Sequence, residues 1–319
     1  MRVPPPIGLG IVLVFPMTAM PAHGQPRSAP STAGPHAVAL GHLQDGAITE
    51  SSGVVAGRRA AGRLLWTHND SGDGPFVYAV GMKGGKRGTF RLRGVQTVTD
   101  CEDIAIGPGP QAGVPYLYLG DIGDNTSVRS AASHVCTVYR VPEPVVASSA
   151  RASTQAHPVL TATAEAFRYV YPDGPHNAET LLVHPKTGRI YVVAKNPNGH
   201  DGVYAFPPSL DARAVVTLKK LATVVISGEP DLYPNLVTGG DIAPDGRHVV
   251  LRTYWYAYEF AAPASAAGFD SVWHAHPRRI LVPLQPQGEG IGYAYPQGDA
   301  FYLTSEGTHT SLYKVSRTH

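Results

Sequence analysis

The chain has 319 residues, among them 35 glycines and 29 prolines, a composition poor in helix formers and rich in turn formers that argues against helical bundles and coiled coils. Lys and Arg total 26 against 24 Asp and Glu, so the formal net charge of +2 supplies no basic field for nucleic acid or anionic lipid and no acidic tail. With 43% hydrophobic and 16% charged residues, the chain has enough apolar material for a sizeable core and too much for disorder.

The N-terminal residues read as a targeting segment. Arg2 precedes an apolar run from Ile7 to Phe15, the size of a signal-peptide core and shorter than a membrane span. Ala22 and Gly24 stand at minus three and minus one of a cut after Gly24. We therefore expect a signal peptide over residues 1–24, a flexible leader over 25–35 and one domain over 36–319, in a secreted or extracytoplasmic protein. The other reading is an uncleaved anchor. Pro16 interrupts the run and no second apolar stretch follows, so the mature chain is expected to carry no membrane span, and no Cys follows the run as a lipoprotein would need.

From residue 37 onward the sequence repeats. A lone strand, A-V-A-L-G-H-L, covers Ala37 to Leu43. The first unit then reads E-S-S-G-V-V, L-L-W-T-H-N-D, F-V-Y-A-V and T-F-R-L-R, four runs of β-branched and aromatic residues separated by Gly, Pro and Asp turns. The second reads D-C-E-D-I-A-I, Y-L-Y-L-G-D, T-V-Y-R-V and A-F-R-Y-V-Y; the third N-A-E-T-L-L-V, I-Y-V-V-A-K-N, G-V-Y-A-F and L-A-T-V-V-I. The fourth reads G-G-D-I-A, H-V-V-L-R-T-Y, Y-A-Y-E-F and R-I-L-V-P-L, and the fifth G-E-G-I-G-Y, A-F-Y-L-T-S-E and S-L-Y-K-V with no fourth run. Aligning Ser52, Glu102, Glu179, Gly240 and Glu289 gives spacings of 50, 77, 61 and 49 residues.

Four antiparallel strands per unit at this period predict an all-β fold, a single β-propeller of five four-stranded blades whose last blade is closed by the N-terminal strand. Such closure covers the edge that an incomplete blade would leave open. Six blades are the alternative, if the 77-residue interval hides a degenerate unit.

Blade geometry then gathers polar residues that are far apart in the chain. The first strand of each blade lies nearest the axis and neighbouring strands alternate in direction, so starts of first strands and ends of second strands share one rim. The starts supply Glu102, Asp103, Glu179, Asp241 and Glu289; the ends supply His68, Asp70, Asp121, Asp124, Asn125, Lys195, Arg252, Tyr254 and Glu306. Carboxylates held together raise one another's pKa unless a cation offsets them. We therefore expect the first set to bind a divalent metal and the second to line a ligand pocket. Oxygen-only donors favour Ca²⁺, with Mg²⁺ as the alternative, over zinc. The competing reading is that these acids cap strands and accept from backbone amides of neighbouring blades.

Other features carry less. Neither N-D-S-G-D-G nor D-I-G-D-N-T is an EF-hand loop, because position 80, where the first would need its closing acid, is Val80. His68, Asn69, Asp70 and Ser71 are adjacent, but neighbours on a strand point to opposite faces, and no G-x-S-x-G elbow activates a serine. His274 and His276 share a strand face without a third ligand. Tyr254, Trp255, Tyr256 and Tyr258 beside Arg252 either pack between blades or stack on a sugar or an anion at the rim. Cys101 and Cys136 form an even pair, which in an oxidising compartment reads as a disulfide or as two buried thiols, and neither has zinc-site spacing.

At D-C-E-D-I-A, Y-L-Y-L-G-D-I-G-D-N and Y-R-V-P-E-P the sequence resembles exported bacterial β-propeller proteins of the SdiA-regulated and phytase-like kinds, most specifically between residues 51 and 144. The resemblance implies a propeller and, for some relatives, bound calcium. The paired aspartates and basic residues expected around phosphate in alkaline phytases are not evident. Cys101 stands where an apolar residue would be ordinary, which fits a local bridge to Cys136 at the start of a third strand. The expected function is an exported binding module: a monomer with a cation in its central mouth and a small-molecule or glycan ligand, with no nucleic-acid partner. The alternatives are a calcium-dependent hydrolase of a phosphate ester, lactone or glycan, and a scaffold for protein partners.

Overall fold

The structure is a computed structural model that describes residues 36–125, 129, 133–226, 236–263 and 268–317. The expected signal peptide and leader, residues 1–35, lie outside the described residues. The described chain is nearly all β, with two short 3₁₀ turns at Ser148–Ala152 and Phe269–His274.

Strand β1 (Ala37–His42) comes first and is used last. Blade 1 holds β2 (Ser51–Ala56), β3 (Leu64–Asn69), β4 (Phe76–Gly81) and β5 (Lys86–Arg93). Blade 2 holds β6 (Cys101–Pro108), β7 (Pro115–Asp121), β8 (Cys136–Pro142) and, after β9 (Val159–Thr163), β10 (Glu165–Val170). Blade 3 holds β11 (Ala178–Val183), β12 (Ile190–Ala194), β13 (His200–Ala205) and, after β14 (Val215–Thr217), β15 (Lys219–Val225). Blade 4 holds β16 (Val237–Ile242), β17 (His248–Thr253), β18 (Tyr256–Ala261) and β19 (Arg278–Leu281). Blade 5 holds β20 (Gly288–Tyr293), β21 (Ala300–Ser305) and β22 (Ser311–Ser316), completed by β1 running antiparallel to β22.

The fold is thus a five-bladed β-propeller. The long second interval contains no sixth blade: its extra residues form the Ser148–Ala152 turn and β9, which lies parallel to β5 on the outside of blade 1. Strand β14 is added to blade 2 in the same way, parallel to β10. Two sheets are therefore five-stranded rather than four-stranded.

Strand alternation explains the packing. Val54 and Leu65 face blade 5, while Val55 and Trp66 face blade 2, so one strand feeds two cores. Five apolar clusters result, one in each gap between successive blades. The inner strands β2, β6, β11, β16 and β20 are buried along their length and contact one another around a closed circuit.

Each inner strand has a register shift at its start, at Ser51/Val54, Cys101/Asp103, Ala178/Thr180, Val237/Gly239 and Gly288/Ile291. These bulges correct the repeat alignment: the equivalents of Glu102 are Ser52, Glu179, Thr238 and Glu289, so blade 4 contributes Thr238 where Gly240 was expected. Where the glutamate is missing, a hydroxyl ties the neighbouring blade instead. Ser52 Oγ donates to the Glu102 carbonyl at 2.6 Å, and Thr238 Oγ1 to the Gly288 carbonyl at 3.2 Å.

The expected bridge between Cys101 and Cys136 is not formed; both are free and buried. Cys101 packs in the core between blades 1 and 2, and Cys136 in the core between blades 2 and 3, so the thiols point from opposite faces of one sheet. Strand β7 also runs between their two strands, which separates them by two strand spacings of about 4.8 Å, beyond disulfide reach. Burial pushes the Cys136 thiol up to about 11. Both thiols should therefore stay unreactive toward a thiol-specific reagent in the native protein and titrate only in denaturant, and a reductant should leave the melting temperature unchanged.

Candidate functional site

The first-strand bulges and second-strand exits meet at one end of the ring. Asp70, Asp100 and Glu102 each place a carboxylate oxygen within 4.8 Å of the others. Asp70 extends from the end of β3, while Asp100 and Glu102 flank the start of β6, so blades 1 and 2 supply this cluster. The D-I-G-D-N turn after β7 closes over it. A side chain at Gly123 would collide with Glu102 Oε1, so this position must be glycine for the carboxylates to sit against the turn. Asn125 donates from its backbone to Asp100 Oδ2 at 3.3 Å and from Nδ2 to Glu102 Oε1 at 3.2 Å.

Blade 3 continues the polar ring. Asn177 donates to Asn125 Oδ1 at 2.7 Å and to Glu179 Oε1 at 3.3 Å. Lys195 Nζ lies 2.7 Å from Glu179 Oε1 and donates to the Tyr254 hydroxyl, from blade 4, at 3.1 Å. In blade 5 Glu289 accepts from Gln287 Nε2 at 3.2 Å, and its carboxyl group is paired with that of Glu306. All five blades therefore reach the mouth.

Burial is the first cause of the mouth's electrostatics, and like charge the second. Burial, with Glu179, Asp70 and Asp100 nearby, holds Glu102 well above the usual carboxylate range. Burial and Asp100 push Asp70 up to about 7. Burial and Glu179 raise Glu289, and burial raises Glu306. Lys195 is the counterweight. Burial opposes its ammonium form, but Glu179 and Tyr254 hold its pKa above the ordinary lysine range.

Several residues expected at the mouth stand elsewhere. Asp103 and Asp241 staple adjoining inner strands: Asp103 accepts from Ile104 and Leu181 amides at 2.8 and 2.9 Å, and Asp241 from Ile242 and Tyr293 amides at 2.8 Å each. This is the backbone-accepting role that competed with metal binding for these acids. Arg252 is fully buried; it donates to the Gly290 and Thr304 carbonyls and to Gln285, pinning blade 4 to blade 5. Asp121 pairs with Arg129 and accepts from the Thr99 and Asp100 amides, and Asp124 accepts from the Arg129 amide at 2.8 Å. His68 is buried with Nδ1 2.8 Å from the Asn69 carbonyl. A carbonyl only accepts, so the ring carries its proton at Nδ1, and burial pushes its pKa down to about 4, leaving it neutral.

Asp100, Asn177 and Gln287 were missed, although the sequence carries a signal for them. Each lies two residues before a bulge glutamate, in D-C-E, N-A-E and Q-G-E, and the period of two along a strand puts it beside that glutamate.

No protein-family model and no curated protein matches the chain. Among solved structures it is similar to a gluconolactonase of Xanthomonas campestris, at 14% identity over 88% of this chain and 89% of that one with a TM-score of 0.43. It is also similar to a glucose dehydrogenase, at 11% identity over 89% and 100% with a TM-score of 0.47. A third is the major allergen Mala s 1 of Malassezia sympodialis, at 9% identity over 89% and 96% with a TM-score of 0.48. At these identities the likeness concerns the fold alone.

Two outcomes follow from the mouth's charges. Replacing Lys195 by Met leaves Glu179 buried without its counter-ion and should cost about 3 kcal/mol, with K195M/E179Q recovering most of the loss in a double-mutant cycle read by denaturant melts. The native state also holds protons on Asp70 that the unfolded chain, with a carboxyl pKa of 3.8, releases earlier. Metal-free protein should therefore lose stability as pH rises from about 4 to 7, and D70N should remove part of that slope.

Proposed function

We propose that this chain is an exported propeller that binds a divalent cation at Asp70, Asp100 and Glu102 and presents the neighbouring mouth to a polar small molecule or glycan. The observation that carries the reading is the convergence of these three carboxylates with the Asp70 Oδ1 atom buried and unpartnered. A buried anionic oxygen without a donor is costly, and two further carboxylates beside it add like-charge repulsion. A cation removes both penalties at once.

The donors fit a hard ion, being all oxygen with Asn125 at the edge. Oxygens bound to Ca²⁺ at about 2.4 Å lie at most about 4.8 Å apart, and the three cluster oxygens lie within that separation of one another. Mg²⁺ would demand a tighter, octahedral shell. Beside the cluster, Lys195 and Tyr254 offer donors, and Asn125 and Asn177 offer amides, the set that recognises hydroxyl-rich or anionic ligands.

The second reading is hydrolysis of a phosphate ester, lactone or glycan, and the placement of Lys195 favours it. A bound divalent cation would supply Lewis acidity toward a carbonyl or phosphoryl oxygen. Lys195 would then steady negative charge developing on the substrate, and the Glu289–Glu306 pair would take up or release a proton.

Ca²⁺ added to EDTA-treated protein should raise the melting temperature by at least about 3 °C, more at pH 8 than at pH 5, because protons compete for the same carboxylates. E102Q should abolish that rise. A metal-insensitive wild-type melt would overturn the cation reading. Chromogenic phosphate, ester, lactone and glycoside substrates then separate the two readings, with turnover that depends on Ca²⁺ and falls in K195M marking the hydrolase. Export is tested by sequencing the N-terminus of the protein from the culture supernatant or periplasm, expected to begin at Gln25.

A further inference from the structure

The inner strands lead from the acidic mouth to a different kind of site. Strands β2, β6 and β20 begin near Ser52, Glu102 and Glu289 and end at Ala56, Pro108 and Tyr293, so the turns after them lie at the opposite end of the ring. There a cavity of about 470 Å³ is lined by Arg58, Arg59, Pro108, Val114, Pro115 and Tyr295.

Two guanidinium groups reach this cavity from one turn. Arg58 stands 5.8 Å from the centre of the Tyr295 ring and donates Nη2 to the Ile106 carbonyl at 2.8 Å, while its Nε is buried without a partner. Arg59 is exposed and donates Nε to the Glu143 carbonyl at 2.7 Å. The Glu143 carboxylate is engaged by other donors. It accepts from the Arg58 amide at 3.1 Å, the Arg59 amide at 2.9 Å and Trp66 Nε1 at 3.0 Å. Asp241, the other acid acting on Arg58, is held by the Ile242 and Tyr293 amides. Among the described residues neither guanidinium forms an ion pair.

The turn is also fixed in place. Glu143 clamps its start from blade 2, and Gly62, with φ of 74°, packs on the Tyr295 carbonyl of blade 5 so closely that a side chain there would collide. The two cations are therefore held ready before any ligand arrives, which lowers the ordering cost of binding. Burial works against the Arg58 cation, and an anion in the cavity would relieve it.

We propose that this cavity binds a small organic anion, with a carboxylate or phosphate group held by Arg58 and Arg59 and a carbon skeleton laid on Tyr295, Val114 and the flanking prolines. An inorganic ion would use the guanidinium groups alone. The aromatic and aliphatic wall and the size of the cavity select the organic class.

Calorimetric titration of the whole protein at fixed ionic strength with benzoate, phenyl phosphate and inorganic phosphate tests this. Benzoate or phenyl phosphate should bind more tightly than inorganic phosphate, and whichever binds better identifies the head group. R58Q should weaken that binding about tenfold and R59Q to a smaller degree. Y295L should erase the preference over inorganic phosphate. No binding of any probe to wild-type protein, or equal binding by wild type, R58Q and R59Q, overturns the proposal. Inorganic phosphate binding as tightly as phenyl phosphate overturns the organic class. If R58Q does not fold, R59Q decides, since its side chain is exposed. Failure of the calcium experiments leaves this result untouched, because the two sites share no residue.

Discussion

Ring closure governs this molecule. Each blade is apolar on both faces, and neither face can be left to water, so every blade must lie between two others. The pairing of β1 with β22 makes that arrangement permanent, because the first strand of the chain completes its last sheet. Polar stitches at the inner strands reinforce the apolar packing: Ser52 and Thr238 donate across blade boundaries, and Asp103 and Asp241 accept across them. Arg252 does the same with a buried guanidinium, held to about 9 by burial and still engaged with two carbonyls of the next blade.

The same closure creates the acidic mouth. Inner strands that begin with a bulge deliver Glu102, Glu179 and Glu289 to a common opening, and the second strands deliver Asp70, Lys195 and Glu306 to it. Such a gathering of carboxylates destabilises the fold unless it is neutralised. The structure shows one internal means, the Lys195 ion pair with Glu179, while burial and neighbouring carboxylates keep Glu289 above the usual carboxylate range. Among the described residues the Asp70, Asp100 and Glu102 cluster forms no ion pair, and Arg129 offsets only part of the burial that raises Asp100. At the opposite end of the ring Arg58 and Arg59 line a cavity and, among the described residues, form no ion pair.

Much of this was legible in the residues, and the failures have physical causes. The strand repeats predicted the blades because alternation and turn chemistry are local. The convergence of Glu102, Glu179 and Glu289 followed from strand order alone. Asp103 and Asp241 were misplaced because a bulge turns successive residues by an amount that no repeat period reveals, aiming Glu102 into the opening and Asp103 at the Leu181 amide. Gly240 was aligned where Thr238 stands for the same reason. The even number of cysteines in a chain expected to be exported suggested a disulfide, but the two lie on opposite faces of one sheet.

What the sequence by itself determined is the all-β class, the five repeating units, the closing role of the N-terminal strand and the end of the ring at which the acids gather. These follow from periodicity and connectivity, which survive without knowledge of any distance. Only the tertiary structure decided which acids face the opening and which bind backbone, that Arg252 and His68 are interior, that the thiols are apart, and that two arginines meet a tyrosine at the far end. Those outcomes depend on side-chain direction and on contacts between blades, and both are set by bulge geometry and ring closure rather than by order along the chain.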